Sequence, residues 1–402
     1  MRVRFVLVFG SLAIALLGVV AVAENIPRIE SSVDLIEYDG REVHAVAEKD
    51  GTIHLISTRS SGDGIEILYS CRASESNDFG ESVSVTGPTV RAIGATGGPQ
   101  LALGRAGRPH VVWHGKKVAS DAPAGIFYSR LNDAGVAFEP PRSLASEGIH
   151  GLSGGASLAA DRSGNVMVVW HGAPETYESE LDRAPWFVYS SDDGQTFSPD
   201  TSFGQPGALG ACSCCSAKAF TSGDANVYVA YRTAEGLVRR SATLLRGRFG
   251  DVAFDATPLQ TWELAYCPNA GFDMVARGNG VGVAWENENR PFFAVYDLAR
   301  GALSEPVSLL TPSDGLSGAQ VHPRKHPVMA TNENGETLVA WNVGDPSRGV
   351  RGFEWRKIDA AGEPVGDVGR FAYPKPRRDP GLSVIVGPND EFTLLYGSGT
   401  GD

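Results

Sequence analysis

The chain has 402 residues, 42% of them hydrophobic and 20% charged, with a formal net charge of −12. This is ordinary globular material, and the acidic balance argues against nucleic acid or an anionic membrane surface as the main partner. Its 49 glycines and 24 prolines provide for many turns and fit an all-β protein better than a helical one.

The first element is a leader. Met1 to Arg4 is basic, Phe5 to Val20 is apolar apart from small residues, and Ala21-Val22-Ala23 is an A-x-A cleavage site. A signal peptide over 1–23 and a single mature domain over 24–402 are expected, with a retained anchor as the alternative. No later apolar run reaches the ~20 residues needed to span a bilayer, so no membrane span is expected after cleavage. The expected location is periplasmic or secreted, where disulfides persist.

One unit then repeats. A short apolar strand, usually ending on an aromatic residue, closes at Ser57, Trp113, Trp170, Tyr231, Trp285, Trp341 and Tyr396. Successive spacings are 56, 57, 61, 54, 56 and 55 residues, by subtraction of those positions. Another short strand precedes each, and most are followed by a third strand and a turn. Four short antiparallel strands per repeat predict the blades of an all-β propeller. Seven blades are favoured and six are the alternative. The ring is expected to close by pairing the two chain ends, with outer strands of the last unit drawn from Ile29–Tyr38. Two β-sandwiches are the structural runner-up.

Residues 189–199 hold the sharpest local motif. Ser190, Asp192, Gly194, Thr196 and Phe197 form Ser-x-Asp-x-Gly-x-Thr-Phe. Asp192 is placed to accept from backbone N–H groups further along, Gly194 to take a positive φ, and Phe197 to anchor the returning strand. The pattern resembles the Asp box, or BNR repeat, of exported bacterial sialidase-like propellers. The resemblance implies that this turn is structural and lies on the face opposite the substrate. Catalytic sialidases of that family carry three arginines, one in Phe-Arg-Ile-Pro, with a Tyr–Glu pair and an Asp acid/base. Asn25-Ile-Pro-Arg28-Ile29 does not match, and the resemblance implies a chain lacking the sialidase catalytic set. The family usually has six blades.

The phase of the repeat compares the loops that would surround the central channel. The residue before each first strand is Gly98, Gly155, Cys215, Cys267, His326 and Asp379 in units two to seven. These positions are expected to converge at the channel mouth. Cys212-Ser-Cys214-Cys215 and His322-Pro-Arg-Lys-His326 add soft ligands. Thiolates with imidazole select copper(I) or zinc over hard cations. A metal site of Cys212, Cys214, Cys215, Cys267, His322 and His326 is therefore expected, copper more than zinc. A disulfide from Cys267 to Cys214 or Cys215 with spare thiols, or a thiol redox role, stand beside it.

The residues after the second strands begin the facing loops. His114, His171, Arg232 and Glu286 are expected to face a ligand together with Asp379, and Arg232 and Glu286 are the catalytic candidates. Three functions follow: an exported binding protein with a soft-metal site, a glycoside hydrolase acting on glycans through paired carboxylates, or a disulfide-stapled scaffold for another exported protein.

Overall fold

The computed structural model describes residues 33–399 except 63, 95, 119–123, 147–148, 175–178, 204–209, 224, 236–237, 265–267, 312–313, 315–321 and 346–347. The expected leader and Cys267 lie outside the described residues. Those described form an all-β structure of several sheets with no α-helix among them. None has a helix long and apolar enough to cross a membrane.

The second strands of the repeat fall where the period places them: Ile53–Ser61, Pro109–Lys117, Val166–Pro174, Asn226–Ala234, Gly280–Asn287, Thr337–Asp345 and Phe392–Gly397. Each pairs antiparallel with an inner strand before it. These inner strands are Arg41–Ala47, Gln100–Leu103, Ile149–Ala160, Lys218–Thr221, Phe272–Arg277, Arg324–Thr331 and Leu382–Val386. In the first six units a third strand follows on the far side of the second.

Hairpins within the units reuse one turn chemistry. Asp161, Asn332 and Asp359 each accept, on a side-chain oxygen, the N–H four residues on, at 3.0, 2.8 and 2.9 Å. A short polar side chain can satisfy backbone donors locally, which sets the reversal.

The second strands read as continuous apolar runs because both faces are covered. Val166–Ala173 is buried at every residue. Trp113, Trp170, Trp285 and Trp341 are at most 1% exposed, so the aromatic ends are core, as their recurrence predicts. The core is divided among the gaps between consecutive sheets. Tyr228, Leu244, Phe272, Val283 and Trp285 fill one gap, and Val43, Leu55, Ile385 and Leu395 fill the gap where the ends of the chain meet.

Each inner strand lies against the next in sequence order, and Leu382–Val386 lies against Arg41–Ala47, the first. The arrangement is consistent with a propeller. The N-terminal strand pairs with the last strand, but in a different sense from the expected antiparallel one: Val33–Tyr38 runs parallel to Phe392–Gly397. The resulting sheet has three strands.

Candidate functional site

A cavity of about 820 Å³ runs between the inner strands and takes lining residues from all seven. None of the residues Ser190 to Phe197 lines it. That turn is saturated instead. Asp192 Oδ1 accepts from Ser190 Oγ at 2.7 Å and from the Thr196 N–H at 2.8 Å, and its Oδ2 accepts from Thr196 Oγ1 at 2.7 Å. Gly194 has φ 75°, and Phe197 packs edge-on to Tyr128 with centroids 4.9 Å apart. Burial opposes the Asp192 charge, but these donors hold its carboxyl down at about 2. The intervening Asp193, with no role in the motif, is 2% exposed. It accepts from Arg108 Nε at 2.7 Å and the Arg105 N–H at 3.0 Å, and lies 3.3 Å from His110 Nε2.

At the mouth, four of the positions aligned by the repeat share a backbone conformation, and Cys215 does not. Gly98, Gly155, His326 and Asp379 have φ of 58°, 78°, 52° and 44°. Non-glycine side chains rarely adopt this left-handed region. A fifth member, Glu42 at φ 46°, was not among the sequence candidates. The signal was present, because Glu42 precedes Ser57 by 15 residues (57 − 42), as His326 precedes Trp341 (341 − 326).

Glu42 and Asp379 meet where the first and last inner strands lie together. The Glu42 N–H donates to the Asp379 carbonyl at 2.7 Å, Thr58 Oγ1 donates to Glu42 Oε2 at 2.9 Å, and Arg41 reaches Asp379 Oδ2 at 3.4 Å. Both carboxyls are pushed up. Burial and the Asp379 charge raise Glu42 to about 7 against the Thr58 and Arg41 contacts. Burial likewise raises Asp379, opposed by Arg41 and His326. The cavity wall adds Lys218, 3.0 Å from Asp273 Oδ1. His44 also lines it and accepts from the Leu101 N–H at 3.2 Å. Burial and the Lys218 charge hold its imidazole neutral, at about 3.

Among the described residues, one group has metal-binding geometry: Cys212, Cys214 and Cys215, with sulfurs within 4.8 Å of one another. The turn is tight. The Cys215 N–H donates to the Cys212 carbonyl at 3.2 Å, and the Gly154 N–H to the Ser213 carbonyl at 2.6 Å. A Cβ on Gly154 would stand 2.3 Å from the Cys215 carbonyl, so only glycine lets that strand approach. Cys212 Sγ lies 3.1 Å from Cys215 Sγ and 3.5 Å from Cys214 Sγ. Cys212 and Cys215 are buried free thiols, and Cys214 is disulfide-bonded. Burial disfavours a Cys215 thiolate, but the Cys212 thiol, the Arg232 guanidinium and the Ala270 backbone outweigh it and pull the group below the ordinary thiol value.

Several expected ligand-facing groups lie inside the protein. His114, His171, Arg232 and Glu286 are 7%, 0%, 1% and 2% exposed, and none lines the cavity. They end second strands, where neighbouring sheets cover the side chains. Arg232 stacks on Trp262 at 4.6 Å, donates to the Glu286 carbonyl at 2.8 Å and points Nη1 at Cys215 Sγ, 3.5 Å away. Glu286 Oε2 accepts the His326 N–H at 2.6 Å. Arg232 and Glu286 thus brace the mouth from behind and do not form a catalytic pair in it. His322 and His326 are likewise not brought to the sulfurs. His326 lines the cavity and places Nε2 3.0 Å from the Asn269 carbonyl. Asp379 is the one ligand-facing candidate that does face the cavity.

No family model matches the chain, and no curated protein matches it. Among solved structures the chain is similar to a Hadza microbial sialidase at 13% identity and TM-score 0.49, covering 84% of this chain and 74% of that one. It is similar to a Dyadobacter fermentans protein of unknown function at 14% and 0.48, covering 78% and 94%. The NanB sialidase of Streptococcus pneumoniae matches at 7% and 0.48, covering 88% and 86%.

Proposed function

We propose that this protein is an exported seven-bladed β-propeller that binds a glycan at the mouth of its central cavity and cleaves it with the Glu42–Asp379 carboxyl pair. The blade count rests on seven inner strands, each against the next, with the last against the first. Export rests on the basic-then-apolar first 23 residues. A cavity of about 820 Å³ is in the size range of small-ligand sites.

The observation that carries the chemistry is the pair itself. Two acids in left-handed backbone stand at one closure point, and Glu42 retains its proton to about pH 7. A carboxylic acid kept neutral can protonate a leaving oxygen, while a neighbouring carboxylate acts as base or nucleophile. Backbone strain concentrated on polar residues fits a functional site better than a scaffold. Chromogenic sialosides and other glycosides, offered to the purified full chain, test this directly. Glu42→Gln and Asp379→Asn should each lower turnover by about 100-fold or more. Turnover that survives both substitutions, or its absence on every glycoside, removes the hydrolase reading.

A second reading places a soft metal, copper before zinc, at Cys212 and Cys215, favoured by the clustering of three sulfurs. With Cys214 disulfide-bonded, two thiols remain for it. Copper content after anaerobic purification should fall on Cys215→Ser. Equal content in both proteins ends this reading.

A further inference from the structure

The outer edge of the sixth unit carries a run of positive charge. Residues 368–378 hold Arg370, Lys375, Arg377 and Arg378 and no acidic side chain, in a chain with 47 acidic and 35 basic residues. Strand register places the end of this run at the channel mouth. Arg324, beside His326, pairs with Val343, Asp345 pairs with Gly349 across the next hairpin, and Val350 pairs with Arg377 on the strand Pro364–Arg377. The pairing then skips, because Gly352 pairs with Ala372. Residues 373–376 therefore bulge opposite the single Arg351. Bulges re-aim side chains and are common beside functional sites. Pro374 and Pro376 have no N–H to offer, so the segment stays an open edge. Arg377 is anchored: it pairs with Glu37 Oε1 at 2.7 Å, donates to the Gly397 carbonyl at 3.0 Å and stacks over Tyr373 at 4.2 Å. Around it Arg348, Arg351, Lys375 and Arg378 are exposed, and among the described residues none of the four has a carboxylate partner. Like charges gathered without partners repel one another, and the fold gains nothing from that. The run also leads into the site, since Arg378 precedes Asp379 and its charge acts on that carboxyl.

We propose that this edge binds an anionic polysaccharide, bearing carboxylate or sulfate groups, and leads it to the Glu42–Asp379 mouth. The inference rests on the glycan reading of that mouth and names its substrate class. Anionic groups spaced along a polymer meet Arg351, Lys375 and Arg378 in turn, and guanidinium and ammonium donors suit both kinds of anion. Lys375 and Asp379 are four residues apart, no more than about 14 Å along an extended chain, so a polymer held at Lys375 extends to the carboxyl pair. Glu42 keeps its proton to about pH 7 and adds little repulsion at the entrance. The charge of the edge, unlike that of the whole chain, is complementary to such a polymer.

Affinity electrophoresis of the full chain tests this, in gels containing polygalacturonate, dextran sulfate, unsubstituted dextran or inorganic polyphosphate, with mobility taken relative to a polymer-free gel. Polygalacturonate, dextran sulfate or both should retard the chain, and which of them does so tells carboxylate from sulfate recognition. Dextran and polyphosphate should retard it far less, and added salt should weaken the binding. The triple variant Arg351→Gln, Lys375→Gln, Arg378→Gln should bind about tenfold or more weakly. Glu42→Gln should bind as wild type, because the edge acts by its own charge. A chain that turns over no glycoside but is retarded in this way loses the hydrolase reading and keeps the anionic-glycan edge. No retardation by either anionic glycan, or equal retardation by dextran, overturns the proposal. So does polyphosphate binding as tightly as the glycans, which would show a charged surface with no preference for sugar, and so does a folded triple variant that binds as wild type. The comparison of polymers on the wild-type chain decides the matter even if the variant does not fold.

Discussion

The Ser190–Phe197 turn and the channel mouth each hold two acidic residues, and the protein treats them in opposite ways. In the turn, burial works against the Asp192 and Asp193 charges, but donors surround both carboxyls and pull them below the usual carboxylate range. At the mouth, burial wins and pushes Glu42 and Asp379 above it, with the Asp379 charge adding to the Glu42 shift. Four acids in one fold thus separate by how fully their oxygens are satisfied. A carboxylate with its hydrogen bonds complete is fixed in charge and position, which suits a brace. One held short of partners at a cavity wall keeps a proton available, which suits chemistry.

The contrast is broken most severely at Asp193. Asp193→Ala leaves Arg108, Arg130 and His110 around an emptied buried site, and should cost about 3–5 kcal/mol in urea unfolding. A loss below about 1 kcal/mol would show that the turn does not brace neighbouring sheets. Asp192→Ala removes three accepted hydrogen bonds at a less enclosed site, and about 1–2 kcal/mol is expected. The Asp192 contribution also has a definite pH window. Its folded value of about 2 lies below the ordinary 3.8, so the stability it confers is present above about pH 4 and is lost as pH falls through about 2. Unfolding curves of Asp192→Asn should run parallel to wild type between pH 5 and 7 and converge with it in acid.

The scaffold was legible in the sequence because it repeats. A period fixed by Trp113, Trp170, Trp285 and Trp341 locates every second strand, and Ser190, Asp192, Gly194, Thr196 and Phe197 spell out their own hydrogen bonds. The site was legible only in part. Sequence phase finds Asp379 and His326 at the mouth, because the backbone there repeats. It does not show where side chains point, so Arg232 and Glu286, in phase with one another, are expected to face a ligand, whereas they support the mouth from inside. Asp193 was invisible because its partners Arg105, Arg108 and His110 come from the preceding unit. The parallel pairing of Val33–Tyr38 with Phe392–Gly397 breaks the alternation on which the repeat argument runs, and no local pattern announces it.

The smallest expected effect sharpens the comparison most, because its sign opposes that of the turn. Glu42 has a folded value of about 7 against an ordinary 4.5, so the folded state binds more protons than the unfolded state between those values. Stability from this group is fully present below about pH 4.5 and is lost as pH rises through about 7. Glu42→Gln keeps a neutral, hydrogen-bonding side chain beside Thr58 and removes the cost of ionisation. The variant should match wild type near pH 4.5 and exceed it by about 1–2 kcal/mol at pH 8, the full shift being reduced because Glu42 lines the cavity and is only half-buried. Urea unfolding at the two pH values measures the difference. Asp379→Asn should give part of the same gain, since the Asp379 charge is one cause of the Glu42 shift. If Glu42→Gln is less stable than wild type at pH 8, then Glu42 is a satisfied carboxylate like Asp192, and the mouth is scaffold.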